Sequence, residues 1–392
     1  MKIEQVYSLV NSITGEITGN TALVNEDLSN VVDVGTELFN STDVDNYVKK
    51  LVNHIGKVVF VNRKYSGNVP SMLMDGWEYG SVLEKISADL PDASETDDWK
   101  LVNGTEYKQD VFHAPEVTTK FFNKRVTFEI AMSFTERQVK ESFSSAEQLN
   151  GFISMIYNAI DNSLTVKIDG LVMRTITNMI AQTIHADYPS TPATGMATGT
   201  TTKCVNLLKL YNDKYPTKKV TAINATTDPD FIRFASYTMG VYKDRLSKMS
   251  TLFNVGKKQR FTPSDRLSFV LLSDFKHGAS AFLQSDTFHD EFVKLPEAET
   301  VPYWQGSGTN YDFKSTSAID VKINGKDVVK VDGILGVMYD RDAMGVCNLD
   351  RRVTTNYNAK AEFYNNYYKF DAGYFNDLNE NFVVFYVMDS AA

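Results

Sequence analysis

The longest unbroken periodicity in the chain is "SSAEQLNGFISMIYNAIDNSLTVKIDGLVMRTITNMIAQTI", Ser144 to Ile184. Apolar residues recur at Leu149, Phe152, Ile153, Ile156, Ile160, Leu164, Ile168, Leu171, Val172, Ile176, Met179 and Ile180. Glu147, Asn150, Ser154, Asn158, Asp161, Thr165 and Asp169 form a polar row at the same period. That spacing predicts one amphipathic helix about 60 Å long at ~1.5 Å per residue. Ser144 followed by Glu147 reads as a capping box, and the helix must end before Pro189. From Ile156 to Ile168 the apolar positions advance by fours, so the stripe turns by roughly 40° per step, which a left-handed coiled coil would not do. Such a helix lies across a broad surface instead of zipping to a twin.

The C-terminal stretch offers that surface, with ten aromatics between Phe363 and Tyr386. Tyr357, Ala359, Ala361 and Phe363 alternate with Asn358, Lys360 and Glu362, which predicts a half-buried strand; Phe382 to Met388 is apolar on both faces, which predicts a central one. The aromatics, Tyr367, Tyr368, Phe382 and Phe385 among them, read as one wall of a sheet carrying the long helix. Strand alternation favours core packing over exposed stacking platforms for these rings.

The first fifty residues read as an arm carrying small elements. Ser41, Thr42 and Asp43 precede an apolar face of Val44, Tyr47, Val48, Leu51, Val52 and Ile55, predicting a short helix. "KVVFVNRKY", Lys57 to Tyr65, suggests an outgoing strand, and the chain returns in "TTKFFNKRVTFEIAMSF", which holds Phe121 and Phe122. Between them lies an acidic excursion punctuated by Pro and Gly. An excursion of that length with little core of its own is expected to pack on something else. Trp77, Tyr79, Val82, Leu83 and Ile86 are too apolar for a solvated tip, the alternative being a floppy insertion.

After the long helix, "HADYPSTPATGMATGTTTK" reads as a small-residue loop and "KCVNLLKLYNDKY" as a short helix. Asp228 before Pro229 signals a helix start. "RLSFVLL", "SAIDVKI" and "KDVVKVDGILGVMYD" predict strands, with a hairpin through Asn324 and Gly325. Alternating helices and strands suggest an α/β lobe from about Pro216 to Met344. No internal repeat or coiled coil is evident.

At 392 residues and 43% apolar composition, the chain is expected to form two or three structural units. Its formal net charge of -9 argues against a dedicated nucleic-acid binder. Cys204 and Cys347 lie far apart, which fits a reduced chain without a disulfide framework. The N-terminal residues lack secretory grammar and no run of about 18 apolar residues occurs, so neither export nor membrane insertion is expected; the sequons at Asn103 and Asn224 then carry no meaning.

Catalytic templates fail on spacing. "GSGT" at Gly306 lacks the strand-before, helix-after setting of a phosphate loop. His54, His113, His185, His277 and His289 make no helical ligand pair. Neither cysteine sits in a motif that lowers its pKa. "SETDD", with Glu95, Asp97 and Asp98, lacks calcium-loop spacing. Lys257, Lys258 and Arg260 form too small a patch to dominate nucleic-acid binding. No enzyme activity, cofactor or metal is expected; a hydrolase or sugar-binding protein using the aromatic C-terminus is the reading from another class.

An arm, a two-stranded excursion, a very long helix, an α/β lobe and a closing aromatic β segment resemble, in that order, the major capsid proteins of tailed bacteriophages, the Hong Kong 97 type α+β fold. "FNKRVTFEIAMSFTERQVKESF", "FISMIYNAIDNSLTVKIDGLVM" and "FYNNYYKFDAGYFN" look like head proteins of small short-tailed phages. The resemblance implies an N-terminal arm at 1–57, an extended loop at 58–128 reaching over a neighbour, and an axial domain at 216–344. It implies a peripheral domain at 129–215 and 345–392 that contains a spine helix at 144–184. It further implies a homo-oligomer of pentamers and hexamers forming an icosahedral shell around double-stranded DNA, without sequence-specific binding, and helped by a scaffolding protein and a portal. The expected location is the virion, assembled in the host cytoplasm, with no membrane role. Trp77, Tyr79, Leu83, Phe121, Phe122, Phe152, Ile156, Ile160, Leu164, Tyr367, Tyr368, Phe382 and Phe385 would be its structural and assembly residues. An encapsulin-like compartment of the same fold is the alternative. The crosslinking trio of some relatives has no counterpart here.

Overall fold

The computed structural model describes residues 3–18, 24–41, 44–61, 69–74, 83–88, 117–284, 297–305, 312–389 apart from 324 and 326, and parts of 91–116. Three helices come first: α1 (Ile3–Thr18), α2 (Val31–Ser41) and α3 (Val44–Val61). Val6, Val10 and Ile13 of α1 and Tyr47, Val48 and Val52 of α3 are buried in one core with the long helix. The N-terminal segment is therefore packed on the body. Of the strand expected at Lys57 to Tyr65, Lys57 to Val61 instead ends α3; residues 62–65 lie outside the described residues. A short apolar run fits either period, and extending a helix already buried along one face is easier than starting a strand.

Next come β1 (Leu73–Met74), β2 (Leu83–Ala88), β3 (Val117–Phe122), β4 (Arg125–Thr135), α4 (Glu136–Ser142) and α5 (Ala146–Asp187). The long helix α5 is continuous, and its cap sits one residue later than its sequence suggests. Ser145 Oγ accepts from Gln148 N at 3.1 Å, while Ser144 Oγ donates to Glu141 O at 2.7 Å and closes α4. The complete capping box belongs to α4, where Thr135 and Gln138 satisfy each other's backbone amides.

Eleven of the twelve apolar positions assigned to the α5 face are buried, and Phe152 is half-buried. The advance by fours continues to Ile184, so the stripe winds roughly 280° about the helix axis from Ile156. One wall cannot cover a winding stripe. Accordingly α1, α3 and β4 approach α5, as do the strands and hairpin described next. Toward the C-terminal end of α5 burial surrounds the helix, and the hydroxyls of Thr175 and Thr183 donate to the carbonyls four residues back, Leu171 O and Met179 O.

The following segment holds α6 (Pro192–Thr198), β5 (Cys204–Asn206), α7 (Leu207–Lys214), α8 (Pro229–Leu246), β6 (Leu267–Leu272), α9 (Ser273–Gln284), β7 (Glu299–Val301) and α10 (Phe313–Thr316). The small-residue loop expected here contains α6, with Pro192 in its first turn where no amide partner is needed. The helix expected from Lys203 is shorter, because Cys204 to Asn206 pairs with a later strand and Asn206 caps α7. Helix α8 starts as expected, Asp228 Oδ1 accepting from Phe231 N at 2.8 Å.

The chain ends with β8 (Ile319–Ile323), β9 (Asp327–Val331), β10 (Ile334–Asp340), β11 (Met344–Asn358), β12 (Phe363–Asn376) and β13 (Phe382–Tyr386). Strands β8 and β9 form the expected hairpin, with Gly325 at φ 73° in its turn. A four-stranded sheet has the order β1-β11-β12-β4, and a five-stranded sheet the order β5-β13-β10-β6-β7.

Two readings of the C-terminus change. The strand expected from Tyr357 to Phe363 is interrupted: Tyr357 and Asn358 end β11, Phe363 opens β12, and residues 359–362 are the reversal joining them. Asn358 Oδ1 accepts from Lys360 N and Ala361 N, and Glu362 has a positive φ of 51°. Local capture of backbone amides by an asparagine side chain competes with strand pairing. The aromatics also do not share one wall: Tyr367 and Tyr368 lie in the four-stranded sheet, Phe382 and Phe385 in the five-stranded one. The turn at 377–381 carries the chain from one sheet to the other, and β13 is central as expected, between β5 and β10.

Helix α5 packs on both sheets. On the four-stranded sheet, Tyr364, Tyr368 and Phe370 of β12 and Phe134 of β4 join its core. Phe134 meets Phe152 edge-on at 5.6 Å, and Asn376 Nδ2 donates to Thr175 O at 3.2 Å. The five-stranded sheet is a partition: Phe382, Val384 and Tyr386 share the core of α5, whereas Val383 and Phe385 face a second core with α7, α8 and α9.

Candidate subunit interface

A two-stranded ribbon carries three exposed large apolar side chains on one face. Strands β2 and β3 pair antiparallel, Leu83 opposite Phe122, Lys85 opposite Lys120, Ile86 opposite Thr119 and Ala88 opposite Val117. Alternation gives it two faces. Leu83, Lys85, Lys120 and Phe122 are half-buried against the body. On the other face Ile86, Val117 and Phe121 are 66%, 56% and 64% exposed. A two-stranded ribbon is marginal alone, and an apolar row on its free face marks a contact surface.

The body holds the ribbon at its root. Ser71, just before β1, donates through N and Oγ to the Glu299 carboxylate at 3.0 and 2.6 Å. Phe122 packs on Phe375 of β12 at 5.2 Å. The inner lysines meet the turn between the two sheets: Lys85 Nζ lies 2.9 Å from Asp377 Oδ2 and 2.7 Å from Glu380 Oε1, and Lys120 Nζ lies 2.8 Å from Asp377 Oδ1. Glu380 also accepts from Arg260 Nε at 3.2 Å. Burial works against ionisation of Asp377, yet Lys120 and Lys85 more than offset it and hold its carboxyl below the usual range. Burial likewise opposes the charge of Lys85, and Glu380 and Asp377 outweigh it, raising its pKa.

Of the residues singled out from sequence, Leu83, Phe121 and Phe122 lie on this ribbon, Phe121 on its outer face. Phe152, Ile156, Ile160 and Leu164 belong to the spine's packed stripe, and Tyr368, Phe382 and Phe385 to the cores. Tyr367 points to the opposite side of β12 from Tyr368, with Lys369 Nζ 5.9 Å from its ring. Trp77 and Tyr79 lie outside the described residues. Sequence reasoning missed Lys85, Lys120, Asp377 and Glu380. The inward-facing lysines of an otherwise alternating ribbon were the available signal, but their partners are more than 250 residues away.

Among the described residues no group of three His, Cys, Asp or Glu could hold a metal ion. Both cysteines are buried, which raises their pKa, that of Cys347 to about 11. A cleft of about 560 Å³ between α5 and β8 is lined by Asp169, Arg174, Tyr303, Asp320 and Lys322. Among the described residues no helix is long and apolar enough to cross a membrane.

A family model for Phi29-like phage major capsid proteins matches residues 8–386. The major capsid protein of Bacillus phage B103 is 26% identical over 169 residues, 42% of this chain and 36% of that protein. That of Bacillus phage GA-1 is 26% identical over 208 residues, 50% of this chain and 41% of that protein. The matched stretches thus span less than half the length of either relative. A solved capsid structure of Staphylococcus phage Andhra aligns with 83% of this chain and 85% of its own at 11% identity, with a TM-score of 0.43.

Proposed function

Since the chain belongs to the family of Phi29-like phage major capsid proteins, we propose that it is the shell subunit of a phage head. Copies join as pentamers and hexamers of an icosahedral container around double-stranded DNA, assembled in the host cytoplasm with a scaffolding protein and a portal, and the chain ends in the virion. The observation that carries this reading is the ribbon: an anchored strand pair whose free face is apolar. A ribbon laid on a neighbour, repeated around a ring, makes a head-to-tail interface that closes on itself. It also covers strand edges that would otherwise pair without control.

The division of labour follows the same reading. Residues 58–128 act as the extended loop, 129–215 and 345–392 as the peripheral domain, 216–344 as the axial domain and 1–57 as the arm. Strand β13 belongs by sequence to the peripheral segment and by pairing to the lobe's sheet. The boundary between those two domains therefore runs along a shared strand. The net charge of -9 suits a wall that must not bind its packaged polyanion tightly. The matched family favours a phage head over an encapsulin-like compartment.

Electron microscopy of the expressed chain, alone and with its phage's scaffold, tests the proposal. Closed shells are expected in at least one condition, and monodisperse monomers in both would overturn it. Ile86→Asp combined with Phe121→Asp should leave the fold intact and suppress shells; normal assembly by that variant would remove the ribbon from the interface.

A further inference from the structure

We infer that Asp377 is a positioning residue for the ribbon, its carboxylate bridging one lysine from each strand and setting the angle at which the apolar face leaves the body. This rests on reading the ribbon as a subunit contact. Lys85 and Lys120 are register partners, directly opposite on the same face. Like charges placed so are destabilising in an isolated ribbon. Asp377 resolves that conflict: its two oxygens take one lysine each, at 2.9 and 2.8 Å, and its side chain is only 2% exposed. The ribbon therefore carries two charges that favour pairing only when it is seated on the body.

The seat is also the joint of the molecule. Asp377 begins the turn between the two sheets, and its own amide donates to Ala343 O at 2.7 Å. Three residues on, Glu380 takes the same Lys85 together with Arg260, which a backbone bridge to Ser250 holds in a loop of the lobe. Gly256 of that loop donates to Leu378 O at 2.9 Å. Ribbon, four-stranded sheet and lobe thus meet at five consecutive residues, so a change in ribbon angle would be felt by both sheets. A buried carboxylate between two cations is screened by salt far less than a surface pair.

Asp377→Asn keeps the side chain's shape and, through Oδ1, its ability to accept from Asn379 N, now 3.0 Å away; it removes the charge and turns the oxygen facing Lys85 into a donor. Hydrogen exchange of the unassembled full chain should show the amides of β2 and β3 exchanging at least about tenfold faster, with those of β6 and β10 unchanged. Asp377→Glu should recover part of the protection. Lys120→Gln added to Asp377→Asn should speed ribbon exchange no further, since the ion pair of Lys120 is already lost with the carboxylate's charge. Ribbon exchange equal to wild type in Asp377→Asn, or additive effects in the double variant, would overturn the inference. Shells of wild-type geometry from a variant with a loosened ribbon would overturn the positioning role. The exchange measurement needs no shell, so a chain that never assembles counts against the function proposed above and leaves this one readable.

Discussion

Val384 and Phe385, neighbours on β13, face different hydrophobic cores: Val384 packs with the long helix α5, and Phe385 with Tyr242 of α8 at 5.4 Å. One strand therefore joins the two halves of the molecule. Phe385→Ala should lower stability by about 3–5 kcal/mol in chemical denaturation. Deleting Phe382 to Ala392 should give an insoluble chain; a soluble, cooperatively folding product that had merely lost a ligand would contradict this role for β13.

Helix α5 offers an internal control. Ile160 is fully buried and Val166, on the same helix, is 68% exposed. Ile160→Asp strands a charge in the core and should cost several kcal/mol, about 3 or more, whereas Val166→Asp should change the monomer's stability by no more than about 0.5 kcal/mol. Urea unfolding of the two variants side by side checks the contrast.

Gly333, between β9 and β10, has φ 80°, and a Cβ there would lie 1.9 Å from Val387 O. Both the backbone region and the space demand glycine. Gly333→Ala should therefore destabilise by roughly 2 kcal/mol or more, read as a fall in the thermal midpoint.

The ribbon contact should depend on pH at both ends. Asp377 has a depressed pKa when folded, so its contribution is complete above the unfolded value of about 3.9 and is lost as pH falls through the folded one. Lys85 has a raised pKa when folded, so its contribution is complete below about 10.4 and is lost as pH rises further. Thermal midpoints of wild type and Asp377→Asn should differ at neutral pH, and the gap should close only as pH falls below about 3.9. A constant gap across that range would show that the carboxylate's charge is not what stabilises.

Both thiols should be inert in the folded chain, because burial raises the pKa of each and blocks access. A thiol reagent at mildly alkaline pH is expected to label neither Cys204 nor Cys347 until denaturant is added, as mass spectrometry would show.

The sequence by itself determined whatever a local period or a capping rule could specify. The α5 stripe, the Asp228–Pro229 start of α8, the glycine turn between β8 and β9 and the all-apolar β13 were each readable from residues within one or two turns of one another. For the candidate site, the same local logic put Leu83 and Ile86 on an excursion too apolar for solvent, and Phe121 and Phe122 on the strand by which the chain returns. It failed where two local signals competed, as at Lys57 to Val61, or where a side chain captured the backbone, as at Asn358.

Only the tertiary structure decided which strands share a sheet. Tyr368 and Phe385 both sit in aromatic-rich strands, yet the turn after Asn376 sends them to different sheets. Nor could any local rule pair Lys85 and Lys120 with Asp377. Strand alternation fixes the side a residue faces, whereas its partner across a core or a salt bridge depends on chain closure over hundreds of residues, where no sequence spacing constrains the distance.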